Sequence, residues 1–153
     1  MPLMFARLGV KKMLMIGMAA WVLRYTLFAL AAPNAVFWMI FIGIVLHGVC
    51  YDFFFVTGQI YVDKKSTPAI RGQAQGFLVL VTYGVGMLIG AQIAGKVYGS
   101  FLAPGATSLT LEQWNQFWWL PAGFAAAVLV FFTAFFRPSG QEATQRVGQQ
   151  TVR

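Results

Sequence analysis

Residues 47–65 read HGVCYDFFFVTGQIYVDKK. Asp52 stands among Tyr51, Phe53, Phe54, Phe55 and Val56, well before the first basic residues, Lys64 and Lys65. A carboxylate is costly in that company. Whatever solvent surrounds it decides the fold, and composition names the solvent. Of 153 residues, 59% are hydrophobic and 10% charged, and the mean hydropathy is +0.69. A soluble domain carries about 25% charged residues. The chain therefore reads as an all-α polytopic membrane protein.

Four segments are apolar enough to span a bilayer, at about 13–32, 36–60, 76–98 and 117–136. Turn residues separate them: Pro33-Asn34, Pro68, Pro104-Gly105 and Pro138. The expected organisation is a membrane domain over 1–137 and a polar, Gln-rich disordered tail over 138–153. Arg7, Lys11 and Lys12 precede an apolar run, as in a signal peptide. That run is longer than a signal peptide's apolar core and fits a span instead.

The net charge of +7 would suggest a nucleic-acid partner in a soluble chain. Here the basic residues flank the apolar runs, so no nucleic acid is expected. Arg7, Lys11, Lys12, Lys64, Lys65, Arg71, Arg137, Arg146 and Arg153 all fall on one side, and Lys96 lies near the opposite edge. The bias predicts that both termini and the 61–72 loop are cytoplasmic. On the outer side, Trp114, Trp118 and Trp119 read as an interfacial belt.

Polar side chains inside the spans concentrate in two of them. Span two holds His47, Tyr51, Asp52, Thr57 and Gln59; span three holds Thr82, Tyr83 and Gln92. At helical spacing Asp52, Phe55 and Gln59 share one stripe, with His47 and Tyr51 on a neighbouring one. Such a face suits a wet cavity in which a planar ligand stacks on rings and bonds to polar tips. The other phenylalanines of the run are expected to pack outward. An ionisable residue in a span faces a cavity, a partner or a proton path. The candidate structural partner of Asp52 is Arg24, about midway along span one. Span three carries a glycine seam through Gly86, Gly90 and Ala94, suited to close helix approach.

Other chemistries are excluded. One histidine and one cysteine cannot build a metal site. HGVCYD matches the H-x-x-x-x-D pattern of membrane acyltransferases. On a continuous helix the two residues lie about 140° apart and would not meet, so the chain is not read as an enzyme.

The segments RLGVKKMLMIGMAAWVLRYTLFAL, HGVCYDFFFVTGQIYVDKK and PAIRGQAQGFLVLVTYGVGMLIGAQIAGKV resemble the nucleoside:proton symporter family of the major facilitator superfamily. The likeness runs from the loop before the ninth helix through the eleventh, and more weakly through the twelfth. The opening ARLGVKK resembles that superfamily's cytoplasmic signature at Arg7, Gly9, Lys11 and Lys12, without its leading glycine and aspartate. The resemblance implies a partial major facilitator fold, in which spans two and three line the cavity while one and four are peripheral. It also implies that the chain is a C-terminal fragment of a bacterial inner-membrane transporter, whose missing N-terminal helices are its partners. The coupling ion would be the proton, with no cofactor. Tyr51 and Asp52 match the family's aromatic-aspartate pair, so Asp52 is expected to couple the proton. His47, Tyr51, Asp52, Phe55 and Gln59 are expected to contact a nucleoside. Two other readings fit the residues alone: a complete four-helix dimeric exporter of small molecules, or a non-transporting membrane scaffold held by an Arg24–Asp52 pair.

Overall fold

The computed structural model describes residues 2–136, with side chains from Leu8 onward. The tail expected to be disordered therefore lies outside the described residues, as do Arg137, Arg146 and Arg153. Six α-helices follow one another: α1 (Pro2–Ala31), α2 (Phe37–Cys50), α3 (Thr57–Lys65), α4 (Arg71–Val79), α5 (Met87–Phe101) and α6 (Leu111–Phe135). A π-helical turn at Tyr51–Val56 joins α2 to α3 without a break, and a second at Leu80–Gly86 joins α4 to α5. Four helices long and apolar enough to cross a membrane result: Leu8–Ala31, Phe37–Lys65, Arg71–Phe101 and Leu111–Phe135.

These helices outrun the apolar stretches that announce them. The second continues to Lys65 rather than 60, and the third starts at Arg71 rather than 76. Lys, Arg and Gln are good helix formers, so a helix need not stop where the hydrocarbon does. The helix α3 stops at Ser66, whose hydroxyl donates back to the Val62 carbonyl at 2.7 Å. The start of α6 is set by a capping box. Thr110 Oγ1 accepts from the Gln113 amide at 3.3 Å, and Gln113 Oε1 accepts from the Thr110 amide at 2.8 Å.

The packing centre is α1. Eight of the eleven buried apolar residues belong to it, from Val10 to Ala31, and it lies against both α6 and the Phe37–Lys65 span. So the span that the resemblance places at the periphery is the hub of this segment. Two clips hold α1 to α6, one near each end. Lys11 Nζ donates to the Thr133 carbonyl at 3.0 Å, placing a cation beside the last turn of α6, where the helix dipole favours it. Asn115 Nδ2 donates to the Ala29 carbonyl at 2.8 Å. Between them Trp118 stacks on Tyr25 at 5.9 Å and tilts against Phe28 at 4.9 Å, and Trp114 meets Tyr98 at 5.8 Å. The expected belt of three tryptophans is thereby corrected. Trp114 and Trp118 turn inward to fill the space between helices, and Trp119 is the most exposed of the three.

Two glycines of α1 and α2 allow the close approach of these spans. A Cβ on Gly17 would stand 2.9 Å from the Phe54 backbone nitrogen, and one on Gly43 would strike the Phe28 ring. The seam expected on span three behaves differently. A Cβ on Gly90 meets nothing within 4 Å, and one on Gly86 meets only the Val81 backbone of its own span. Arg71–Phe101 is left uncovered, with Leu80, Met87, Leu88 and Ile93 more than half exposed. Exposed apolar side chains on this scale suit contact with lipid or with further helices.

Near its start α1 bends at Gly9, whose φ of 72° and ψ of 162° lie in a region essentially restricted to glycine. Gly9→Ala is expected to cost about 1–3 kcal/mol of backbone strain, read as a lowered unfolding temperature in detergent. An unchanged unfolding temperature would show that the bend relaxes without cost.

Candidate functional site

The two π turns carry the polar and aromatic residues of the membrane interior. A π turn closes its hydrogen bond over five residues rather than four, so it holds one residue more than an α turn. Residues on either side of it therefore lose the 3.6-residue phase that put Asp52, Phe55 and Gln59 on one stripe. The structure separates them accordingly. Phe55 and Gln59 line an apolar cavity of about 310 Å³ with Leu14, Met18, Thr82 and Tyr83, whereas Asp52 does not line it and is exposed.

Phe55 is the centre of a ring cluster. Its centroid lies 5.5 Å from Tyr51, 5.1 Å from Tyr83, 5.4 Å from Phe54 and 5.9 Å from Trp21. Tyr83 also reaches Tyr51 in a side-chain hydrogen bond, which ties the second π turn to the first. Tyr51, Phe55 and Tyr83 thus form one aromatic shelf across spans two and three, with the Tyr51 and Tyr83 rings partly open. Ring faces and phenol groups together can stack a planar ligand and bond to its edge.

Phe54 corrects the expectation that the remaining phenylalanines pack outward. It tilts against Trp21 at 5.0 Å and packs on the buried cluster of Val10, Leu14 and Met18. The absence of a side chain at Gly17 makes that approach possible. Gln59 contributes its backbone as well: its carbonyl accepts from Gln75 Nε2 at 2.8 Å, joining spans two and three below the shelf.

Asp52 forms no ion pair with any described residue. Its carbonyl is approached by the hydroxyl of Thr57 at 3.5 Å, and Thr57 is the fully buried polar residue of the described chain. The expected partner, Arg24, goes elsewhere. Its Nη1 donates to His47 Nδ1 at 2.8 Å, and its guanidinium lies 5.7 Å from the Tyr25 ring centroid and 5.4 Å from that of Phe28. His47 and Asp52 are about 7.5 Å apart along the helix axis, so a guanidinium seated on those rings at the level of His47 leaves Asp52 alone. The ion pair among the described residues is Arg71 Nε to Asp63 Oδ1, 3.2 Å, between half-exposed side chains in the loop joining spans two and three. Exposed pairs of that kind contribute about 0–1 kcal/mol.

Sequence reasoning missed Trp21, Gly17 and the pairing role of Tyr83. Gly17 precedes Met18, Ala19 and Ala20, a run of small residues that signals a close helix contact. Nothing in the local pattern identifies Trp21 as a neighbour of Phe54 and Phe55.

Membrane-spanning helices with an unpaired carboxylate beside an aromatic shelf have the parts of a solute transporter. The family model described as nucleoside H+ symporter matches residues 1–141, and the chain belongs to that family. It is 32% identical to the nucleoside permease NupG of Escherichia coli K12 over 137 residues, 89% of this chain and 32% of NupG. It is 36% identical to the putative nucleoside transporter YegT of the same organism over 148 residues, 94% of this chain and 35% of YegT. Among solved structures, a crystal structure of the nucleoside transporter NupG superposes with a TM-score of 0.77 at 31% identity, covering 90% of this chain and 33% of that one. The chain spans about a third of the length of the curated relatives it matches. The family and the all-helical membrane fold expected from the sequence are the ones found.

Proposed function

We propose that this chain forms the C-terminal third of a transporter that carries nucleosides together with protons, with spans two and three facing the substrate. The observation that carries the reading is the face those spans present. Asp52 is exposed and unpaired there, beside the shelf of Tyr51, Phe55 and Tyr83, on the side that α1 and α6 leave open. In this reading Asp52 binds the coupling proton, and Tyr51 and Phe55 stack the base. His47 and Gln59 supply hydrogen bonds to base or ribose. The further partners are lipid and the N-terminal helices of the same transporter, and no cofactor beyond the proton takes part. The basic side, with Lys11, Lys12, Lys64, Lys65 and Arg71, faces the cytoplasm of a bacterial inner membrane.

A chimera tests this. Residues 1–136 replace the matching third of NupG, and uptake of tritiated uridine and adenosine is measured in cells lacking other nucleoside carriers. The expected result is uptake that collapses when a protonophore removes the gradient. A chimera that inserts in the membrane yet stays inert, or whose uptake ignores the protonophore, overturns the reading.

A further inference from the structure

We infer that Arg24 is a positioning residue that fixes His47 in the tautomer carrying its proton on Nε2, so that His47 meets the substrate as a hydrogen-bond donor. The inference rests on the nucleoside-transport reading for its role and on geometry for its chemistry. Arg24 Nη1 and His47 Nδ1 stand 2.8 Å apart. A guanidinium has five N–H donors, no acceptor, and does not deprotonate in proteins. The shared hydrogen therefore belongs to Arg24, and Nδ1 accepts it. A ring nitrogen that accepts carries no proton, so the neutral imidazole keeps its hydrogen on Nε2.

Two further observations assign the contact to Arg24 rather than to chance. The guanidinium is seated over Tyr25 and Phe28, both in its own helix, so its level in the membrane is set before it meets span two. It then spends an end nitrogen on His47, while its Nε is buried without a partner among the described residues. The His47 contact is thus the hydrogen bond that locates this side chain. No comparable bond links Arg24 to Asp52, so the arginine orders the histidine and leaves the carboxylate free to titrate. A donor at His47 selects ligands with an acceptor at that point: a base carbonyl, a ring nitrogen or a ribose oxygen.

His47 is the single histidine of the chain, which gives the tautomer its own readout. The chain is labelled with nitrogen-15 histidine, purified on a tag without histidine and placed in lipid nanodiscs. Its spectrum should show one protonated nitrogen, Nε2, and an unprotonated Nδ1. In Arg24→Met, which keeps an apolar stem over the two rings but removes the donor, the spectrum should change to a mixture of tautomers. Arg24→Lys keeps a donor and should preserve the Nε2 form. A spectrum with the proton on Nδ1, or one unchanged in Arg24→Met, overturns the inference, and neither result depends on transport. In the NupG chimera, Arg24→Met should raise the KM for uridine about tenfold, the factor for one lost hydrogen bond of about 1.4 kcal/mol, with maximal rate kept. Arg24→Lys should recover most of it. Equal losses in Arg24→Met and Arg24→Lys would mean that the side chain acts through packing and not through His47.

Discussion

Asp52→Asn should remove proton-driven nucleoside uptake, by roughly 10²-fold or more, the scale on which loss of a proton-transfer group is felt. The argument is one of subtraction. Asn has the shape and hydrogen-bonding atoms of a protonated Asp but cannot titrate, so it removes the proton cycle and little else. The structure shows why the fold should survive. The Asp52 side chain is exposed and pairs with no described cation, and the residue's fold contact is the approach of Thr57 to its backbone carbonyl, which Asn keeps. Substitutions away from packing and pairing usually move stability by about 0.5 kcal/mol or less. The expected protein therefore inserts normally in the chimera, and its residual uptake is flat with pH and indifferent to a protonophore. Normal pH-dependent uptake by the Asn protein would remove Asp52 from the mechanism.

The second large effect is expected at Gly17, far from any charge. A methyl there would stand 2.9 Å from the Phe54 nitrogen, 3.0 Å from the Phe53 carbonyl carbon and 3.1 Å from the Phe54 Cβ. Two of these three atoms are main chain of the first π turn and cannot swing aside as a side-chain end would. Gly17→Ala should therefore cost about 1–3 kcal/mol by overpacking and lower the unfolding temperature in detergent. Because the displaced turn carries Tyr51 and Asp52, uptake in the chimera should fall too. Gly43→Ala is the internal comparison. Its methyl meets the Phe28 ring, a side chain that can yield, so the penalty should be smaller. Equal penalties at both glycines would show that the π turn is as compliant as a ring.

Much of the architecture was legible in the sequence, because hydrophobic length and basic flanks are local signals. Four spans, their order and the polar character of the second and third follow from the order of residues alone. The family could be recognised from the Tyr51–Lys65 stretch and the segment beginning at Pro68. The site was harder. The stripe of Asp52, Phe55 and Gln59 assumed a constant 3.6-residue phase, and one extra residue in the turn at Tyr51–Val56 breaks it. No residue in YDFFFV announces that change. The choice of partner for Arg24 was also out of reach, since opposite charge favours Asp52 and only the seating of the guanidinium on Tyr25 and Phe28 turns it to His47. The inward turn of Trp118 depends likewise on α1, more than eighty residues away in the chain.

The π turn at Tyr51–Val56 can also be read as an insertion that the span absorbed without breaking. Undone by deleting one residue from Phe53–Val56 to restore an α turn, it would rotate all that follows by about 100° and draw it in by about 1.5 Å. Thr57 would leave its buried place, and the Gln59 carbonyl would no longer face Gln75. The number of residues between Asp52 and Gln59 is thus a dimension of the protein in its own right. A related chain could exchange most side chains in this interval and keep the arrangement, but it could not lose one position and do so.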